Sequence, residues 1–134
     1  MPSCVLVTHG PVADALAKAA QSVMGDISGV HALSVSPLSL ETILEKLEAL
    51  ANSPEAQDGL LILATLRGGS CWNAACKIAQ RHPHVRVISG VNLPMLLSFL
   101  TKRDRLSFPQ LVETVCRDGV RGITGFPEET PTSR

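Results

Sequence analysis

The sequence predicts an α/β protein built on a doubly wound, mostly parallel sheet with helices on both faces. Three observations lead there. Short apolar runs alternate with segments of helical period, which is the pattern of βα units. One run, Gly59–Ala64 (Gly-Leu-Leu-Ile-Leu-Ala), is apolar throughout, as a strand buried on both faces must be. Aromatic residues make up 3% of the chain against 45% apolar residues, so the core has to come from Leu, Val, Ile and Ala. At 134 residues the chain makes one domain, expected over residues 1–125 and followed by a polar, disordered tail over 126–134.

Taken in order, Cys4–Val7 is the first strand and ends in Thr8-His9-Gly10. Pro11 suits the first turn of a helix. Val12, Leu16, Ala19, Ala20 and Val23 then recur at helical spacing, and Gly25 closes that helix. Val30–Val35 is the second strand. Ser39 caps a second helix, whose apolar face carries Leu40, Ile43, Leu44, Leu47 and Leu50. Glu41, Glu45, Lys46 and Glu48 form its solvated side. Asn52–Asp58 is a loop. The Gly59–Ala64 strand feeds the loop Thr65-Leu66-Arg67-Gly68-Gly69-Ser70. A third helix follows with Cys71, Ala74, Ala75, Ile78 and Ala79 inward. Residues 81–84 turn into the strand Val85–Ser89. Pro94 opens a helix through Leu100, and Thr101–Arg105, polar and basic, is expected to be an exposed loop. Ser107 caps a last helix, through Leu111, Val112, Val115 and Cys116, which Gly119 is expected to end. Val120–Thr124 is expected as a final short strand.

Twelve basic and twelve acidic residues cancel. No basic stripe or arm points to nucleic acid or to a membrane surface. No apolar run approaches the ~18 residues of a membrane span. The first strand starts close to Met1 and leaves no room for a signal peptide, so a cytoplasmic protein is expected. Cys4, Cys71, Cys76 and Cys116 form no Cys-x-x-Cys pair, so no structural zinc is expected and the thiols read as small apolar packers. No metal and no cofactor is called for.

Chemistry concentrates in two loops, residues 8–11 and 65–70. In a doubly wound sheet, loops at strand carboxyl ends open onto a common crevice. His9 in that crevice is a candidate nucleophile or acid/base group. The second loop offers the amides of Gly68 and Gly69, the Ser70 hydroxyl and the Arg67 cation. These parts suit a phosphate-sized anion, since free amides and the helix dipole both favour negative charge. The loop is neither a Walker motif nor a dinucleotide fingerprint, because the lysine and the glycine spacing are missing. A neutral histidine facing an anion cradle is what phosphoryl transfer onto a ring nitrogen requires. No metal ligands gather there, which favours a phosphorylated protein over a magnesium nucleotide as donor. His31, His82 and His84 read as strand and turn residues. Trp72 is either part of a docking rim or packed between helix and sheet. Asn92 and Pro94 shape a turn.

Three motifs carry a resemblance: Val-Leu-Val-Thr-His-Gly from Val5, Gly-Gly-Ser-Cys-Trp-Asn-Ala-Ala from Gly68, and Val-Ile-Ser-Gly-Val-Asn-Leu-Pro-Met-Leu-Leu from Val87. In this order and spacing, from Cys4 to Thr124, the chain resembles the IIA component of the mannose-family sugar phosphotransferase system. The resemblance implies that His9 accepts a phosphoryl group from the histidine phosphocarrier protein HPr and passes it to a IIB component. Thr65, Arg67, Gly68, Gly69 and Ser70 would hold the phosphate. It also implies a homodimer in which a short C-terminal antiparallel strand, Val120–Thr124, pairs with the neighbouring subunit, and association with a membrane-bound IIC/IID complex without insertion of this chain. Two positions depart from the family pattern. Thr65 stands where an aspartate usually orients the histidine ring, and Arg67 stands where an apolar aromatic residue is usual. Threonine can accept a hydrogen bond but brings no charge. A regulatory or interaction protein of the same fold with weak transfer is therefore the second reading. A small-anion or nucleotide binder is a third.

Overall fold

The computed structural model of the chain describes residues 1–35 and 39–127. Four parallel strands, β1 (Ser3–Thr8), β2 (Val30–Ser34), β3 (Leu60–Ala64) and β4 (Val85–Ile88), form one sheet in the order β2-β1-β3-β4. Five helices connect and follow them: α1 (Val12–Met24), α2 (Leu40–Ala51), α3 (Ser70–Arg81), α4 (Leu93–Lys102) and α5 (Phe108–Arg121). A single 3-10 turn, Pro54–Ala56, interrupts the loop before β3.

The inner strands explain the two-layered core. Successive side chains on a strand point to opposite faces. Val5 and Val7 of β1 and Leu60, Ile62 and Ala64 of β3 meet α2 and α3 on one face. Cys4 and Leu6, with Leu61 and Leu63, meet α1, α4 and α5 on the other. Every residue of β1 and β3 is buried. At about 1.5–3 kcal/mol for each fully buried large aliphatic side chain, these two strands dominate the stability of the sheet. Burial also pushes the Cys4 thiol far above its usual range, so it stays a neutral packing group.

Helix starts follow local chemistry. The Ser39 side chain accepts from the amide of Thr42 at the head of α2. Asn92 accepts from the Met95 amide at 2.9 Å and caps α4. Ser107 and Gln110 form a reciprocal capping box at α5, which satisfies two amides that a helix end otherwise leaves open.

Three expectations need correction. The polar stretch Thr101–Arg105 is not an exposed loop: α4 takes in Thr101 and Lys102, and Arg103 is only 8% exposed. Its guanidinium lies 5.5 Å from the Phe99 ring centre and against Gly29. A long aliphatic stem lets arginine cover apolar surface, and cation–π attraction favours that position. Next, α5 runs past Gly119 to Arg121, because Gly119 continues the inward stripe of Leu111 and Val115. A Cβ at Gly119 would strike Met95, so glycine here allows close packing on α4, and its helix penalty of about 1 kcal/mol is tolerated. Val120–Thr124 is consequently not a strand: Val120 and Arg121 complete the helix, and residues 122–124 bond back to its last turn and join no strand among the described residues. Of the expected tail 126–134, residues 128–134 lie outside the described residues, while Phe126 is fully exposed.

Candidate functional site

The connection out of β1 leads through α1 to β2 on one side, whereas β3 pairs on the other side of β1. This reversal opens a crevice above the carboxyl ends of β1 and β3, the place where open α/β sheets bind ligands. Thr8, fully buried, accepts the Ala13 amide at 2.6 Å through its hydroxyl. That bond ties β1 to the first turn of α1. Gly10 then turns the chain at φ +58°, a conformation that costs glycine little. His9, between these anchors, is left exposed at the crevice.

Across the crevice, β3 gives way to the turn 65–69. Gly68 adopts φ +85°, again the left-handed region. Gly69 is the cap of α3 and brings no capping side chain. The first bond of the helix runs from the Asn73 amide to the Gly69 carbonyl at 2.9 Å. The amides of Ser70, Cys71 and Trp72 therefore precede the helical ladder and have no acceptor within it. Ser70 is the first helical residue, and its hydroxyl faces the imidazole. His9 Nε2 and Ser70 Oγ are 3.3 Å apart. A Cβ on Gly69 would sit 3.5 Å from His9 Cε1, so backbone approaches the ring closely there.

One contact was missed by the sequence reading. Cys71 Sγ lies 4.0 Å from both ring nitrogens of His9. It had been placed only on the inward face of α3, and it is there too, fully buried. Its position one residue after Ser70, in the first helical turn, was the available signal. Burial raises the thiol pKa, so Cys71 meets the ring as a neutral, polarisable group rather than as a thiolate.

The site residues of the second loop divide. Gly69 and Ser70 stand beside His9. Gly68 sets the turn. Thr65 does not hydrogen-bond the ring: its carbonyl accepts the Gly90 amide at 3.1 Å, and its hydroxyl is buried without a partner among the described residues. Such a group costs of order 1–3 kcal/mol when it stays unpaired. Arg67 is exposed and forms no ion pair or side-chain hydrogen bond among the described residues. No carboxylate hydrogen-bonds the His9 ring, so the neutral hydroxyl and thiol are its hydrogen-bonding neighbours among the described residues. Trp72 is half-buried against the α2/α3 core, which gives it a packing role. No group of three or more His, Cys, Asp or Glu residues able to hold a metal ion is found among the described residues. No helix there is long and apolar enough to cross a membrane.

The chain matches the family EIIA-man, described as "PTS system fructose IIA component", over residues 3–116. It is 36% identical over 130 residues to the mannose-specific EIIAB component of the phosphotransferase system of Escherichia coli K12, covering 93% of this chain and 40% of that protein. The chain thus spans less than half the length of this curated relative. The sorbose-specific EIIA component of Klebsiella pneumoniae is 32% identical over 113 residues, covering 84% of this chain and 83% of that protein. Among solved structures, the mannose/sorbose-specific IIA subunit from Enterococcus faecalis superposes with a TM-score of 0.82 at 25% identity, over 98% of both chains. A phosphotransferase system component EIIA from Streptococcus agalactiae, at 23% identity and a TM-score of 0.84, has the same fold over 94% of this chain and 98% of that one.

Proposed function

Because the chain belongs to the EIIA-man family of the sugar phosphotransferase system, we propose that it is a cytoplasmic phosphocarrier whose reacting atom is His9 Nε2. The observation that carries this reading is the 3.3 Å approach of that nitrogen to the Ser70 hydroxyl at the open amino end of α3. The donor is a phosphohistidine of the carrier protein HPr. Its N–P bond breaks as the lone pair of Nε2 forms a new N–P bond, and the donor ring leaves with the electron pair. The phosphoryl oxygens then lie against the amides of Ser70, Cys71 and Trp72, where the helix dipole favours negative charge. The Ser70 hydroxyl turns from the ring to a phosphoryl oxygen. Gly68 and Gly69 keep the backbone low enough for that approach. Thr65, with a hydroxyl lacking a partner among the described residues, and Arg67, a solvated cation beside the turn, supply a donor and a positive charge to the phosphoryl group. Transfer to a IIB component reverses the same step.

The reading includes a homodimer. β4 ends the sheet and has one unpaired edge, and Val120, Ile123 and Phe126 are 48%, 57% and 96% exposed. A second copy of the chain seated there would cover both, and light scattering on the purified chain tests for the dimer mass. Such a dimer would sit with a membrane-bound IIC/IID complex through its IIB partner.

A second reading is kept by one observation, the absence of a carboxylate hydrogen-bonded to the ring. A chain with the fold but poor transfer would act by binding. Incubation with phosphorylated HPr separates the two. Acid-labile phosphate on His9 within the time HPr takes to label other IIA chains supports the carrier. An unlabelled, folded protein that still binds phosphorylated HPr supports the regulator.

A further inference from the structure

The α4–α5 pair carries a second concentration of charge far from His9. α4 runs away from the carboxyl edge of the sheet and ends at Lys102, next to Arg103, whose side chain lies by Gly29 at the strands' amino ends. There, Lys102, Arg105, Leu106, Thr114 and Arg117 line a cleft of about 320 Å³. This falls within the range of small-molecule sites, about 300–1,000 Å³.

Three cations meet in a chain whose formal net charge is zero, and one carboxylate answers them. Asp118 binds Lys102 and accepts from Ser98 Oγ at 2.7 Å. Arg105 and Arg117 form no ion pair among the described residues. Each guanidinium makes a single anchoring contact: Arg105 donates to the Thr101 carbonyl at 3.3 Å, and Arg117 to Thr114 Oγ1 at 3.4 Å. A guanidinium has five N–H donors in a fixed fork. Most of them stay available here, from side chains already tethered on one edge. Asp104 and Glu113, the other acids of this region, do not line the cleft. Three positive charges and one negative leave two uncompensated, which matches a phosphate dianion. Tethered guanidiniums suit phosphate because they bind its oxygens bidentately. Leu106 supplies an apolar wall for a carbon skeleton attached to that phosphate.

We infer that this cleft is a second anion site, which binds a phosphate dianion, free or as the monoester of a small organic molecule, independently of the His9 turn. It gives the chain a place to sense a phosphorylated metabolite without competing for the transfer site.

The test is a titration of the isotope-labelled chain followed by amide correlation spectra, with glucose 6-phosphate, inorganic phosphate and unphosphorylated glucose as separate probes. Saturable shifts of the amides of Lys102, Arg105, Leu106, Thr114 and Arg117 are expected with the phosphates and none with glucose. Saturation by inorganic phosphate at the same concentration assigns the site to the free ion. Saturation at least threefold earlier with glucose 6-phosphate assigns it to the ester. Arg105 and Arg117 are exposed, so the double variant Arg105→Gln/Arg117→Gln keeps the fold, and binding weakens at least tenfold. Shifts confined to His9 and Ser70, no saturation at the five amides, or equal binding by the double variant each overturn the inference.

Discussion

The two ends of the sheet use the same residue type in opposite ways. At the amino end, every histidine has a strong partner. His31 pairs with Glu55. His82 Nε2 is 2.6 Å from Glu48 Oε2, and Arg81 holds the other oxygen of that carboxylate, Oε1, at 3.2 Å. His84 lies 2.8 Å from the Ala51 carbonyl. At the carboxyl end, His9 meets only a hydroxyl at 3.3 Å and a thiol at 4.0 Å. Imidazoles bound to carboxylates stabilise the fold and have little left to offer a reaction. An imidazole without one, exposed before the open amides of a helix start, adds little to stability and keeps its lone pair for a ligand. The division fits the general rule that strain and unmet hydrogen bonds collect at functional sites.

Several substitutions break or sharpen this contrast. The largest effect is expected from His9→Gln, which removes the nitrogen proposed to react. Transfer from phosphorylated HPr falls by at least about 10³-fold, while the thermal midpoint changes little, since exposed side chains away from packing contribute within about 0.5 kcal/mol. Labelling together with a thermal scan shows whether both hold; a large stability loss would place His9 among the structural histidines. At the opposite end, Gly59→Ala should do the reverse. Gly59 has φ +129°, and an added Cβ would meet the Phe108 ring. Backbone strain and overpacking each cost of order 1–3 kcal/mol, so urea unfolding should show a loss of about 2–6 kcal/mol with transfer per folded molecule unchanged.

Thr65→Asp makes the two ends more alike. It introduces a carboxylate beside the His9 turn, which stabilises the imidazolium. The NMR titration of His9 then moves upward relative to the unaltered chain, and an unmoved titration would exclude any electrical contact between positions 65 and 9. The smallest effect comes from the acids of the amino end. The Glu48 pKa is lowered, chiefly by its hydrogen bond to His82, and that of Glu55 chiefly by His31. A carboxylate with a lowered folded-state pKa stabilises above its unfolded value of about 4.3 and loses that contribution as acid protonates it. Glu48→Gln should therefore lower the thermal midpoint at neutral pH, by an amount typical of part-exposed pairs, up to about 1 kcal/mol. The difference from the unaltered chain should shrink as the pH falls below the ordinary glutamate range and vanish once Glu48 is protonated in the folded state. A difference that does not shrink with acid points to lost packing instead.

The parts of this fold that were legible were those governed by periodicity and by local chemistry. The apolar run of β3, the turn glycines and the serine caps of α2 and α5 each signal themselves within a few residues. The meeting of His9 with Ser70, 61 positions apart, was legible as well, because two loops at strand carboxyl ends must face one crevice. Contacts that depend on a third dimension were not. Arg103 looked like a surface residue, and only the α4–sheet packing gives its stem an apolar bed and its charge a ring. Val120–Thr124 had the composition of a strand but no partner within its own chain, so the helical stripe through Gly119 prevailed. Cys71 was placed correctly on the inward face of α3, yet the same placement put its sulfur against the imidazole.

The first turn of α3 has one more property. Trp72 is the only tryptophan, and the chain has no tyrosine. Two residues along from Ser70, half enclosed by the α2/α3 core, its indole is a lone fluorophore at the edge of the anion cradle. A phosphoryl group arriving on His9, as proposed, would change the electric field the indole feels, so emission alone would report it, with no label added to the protein.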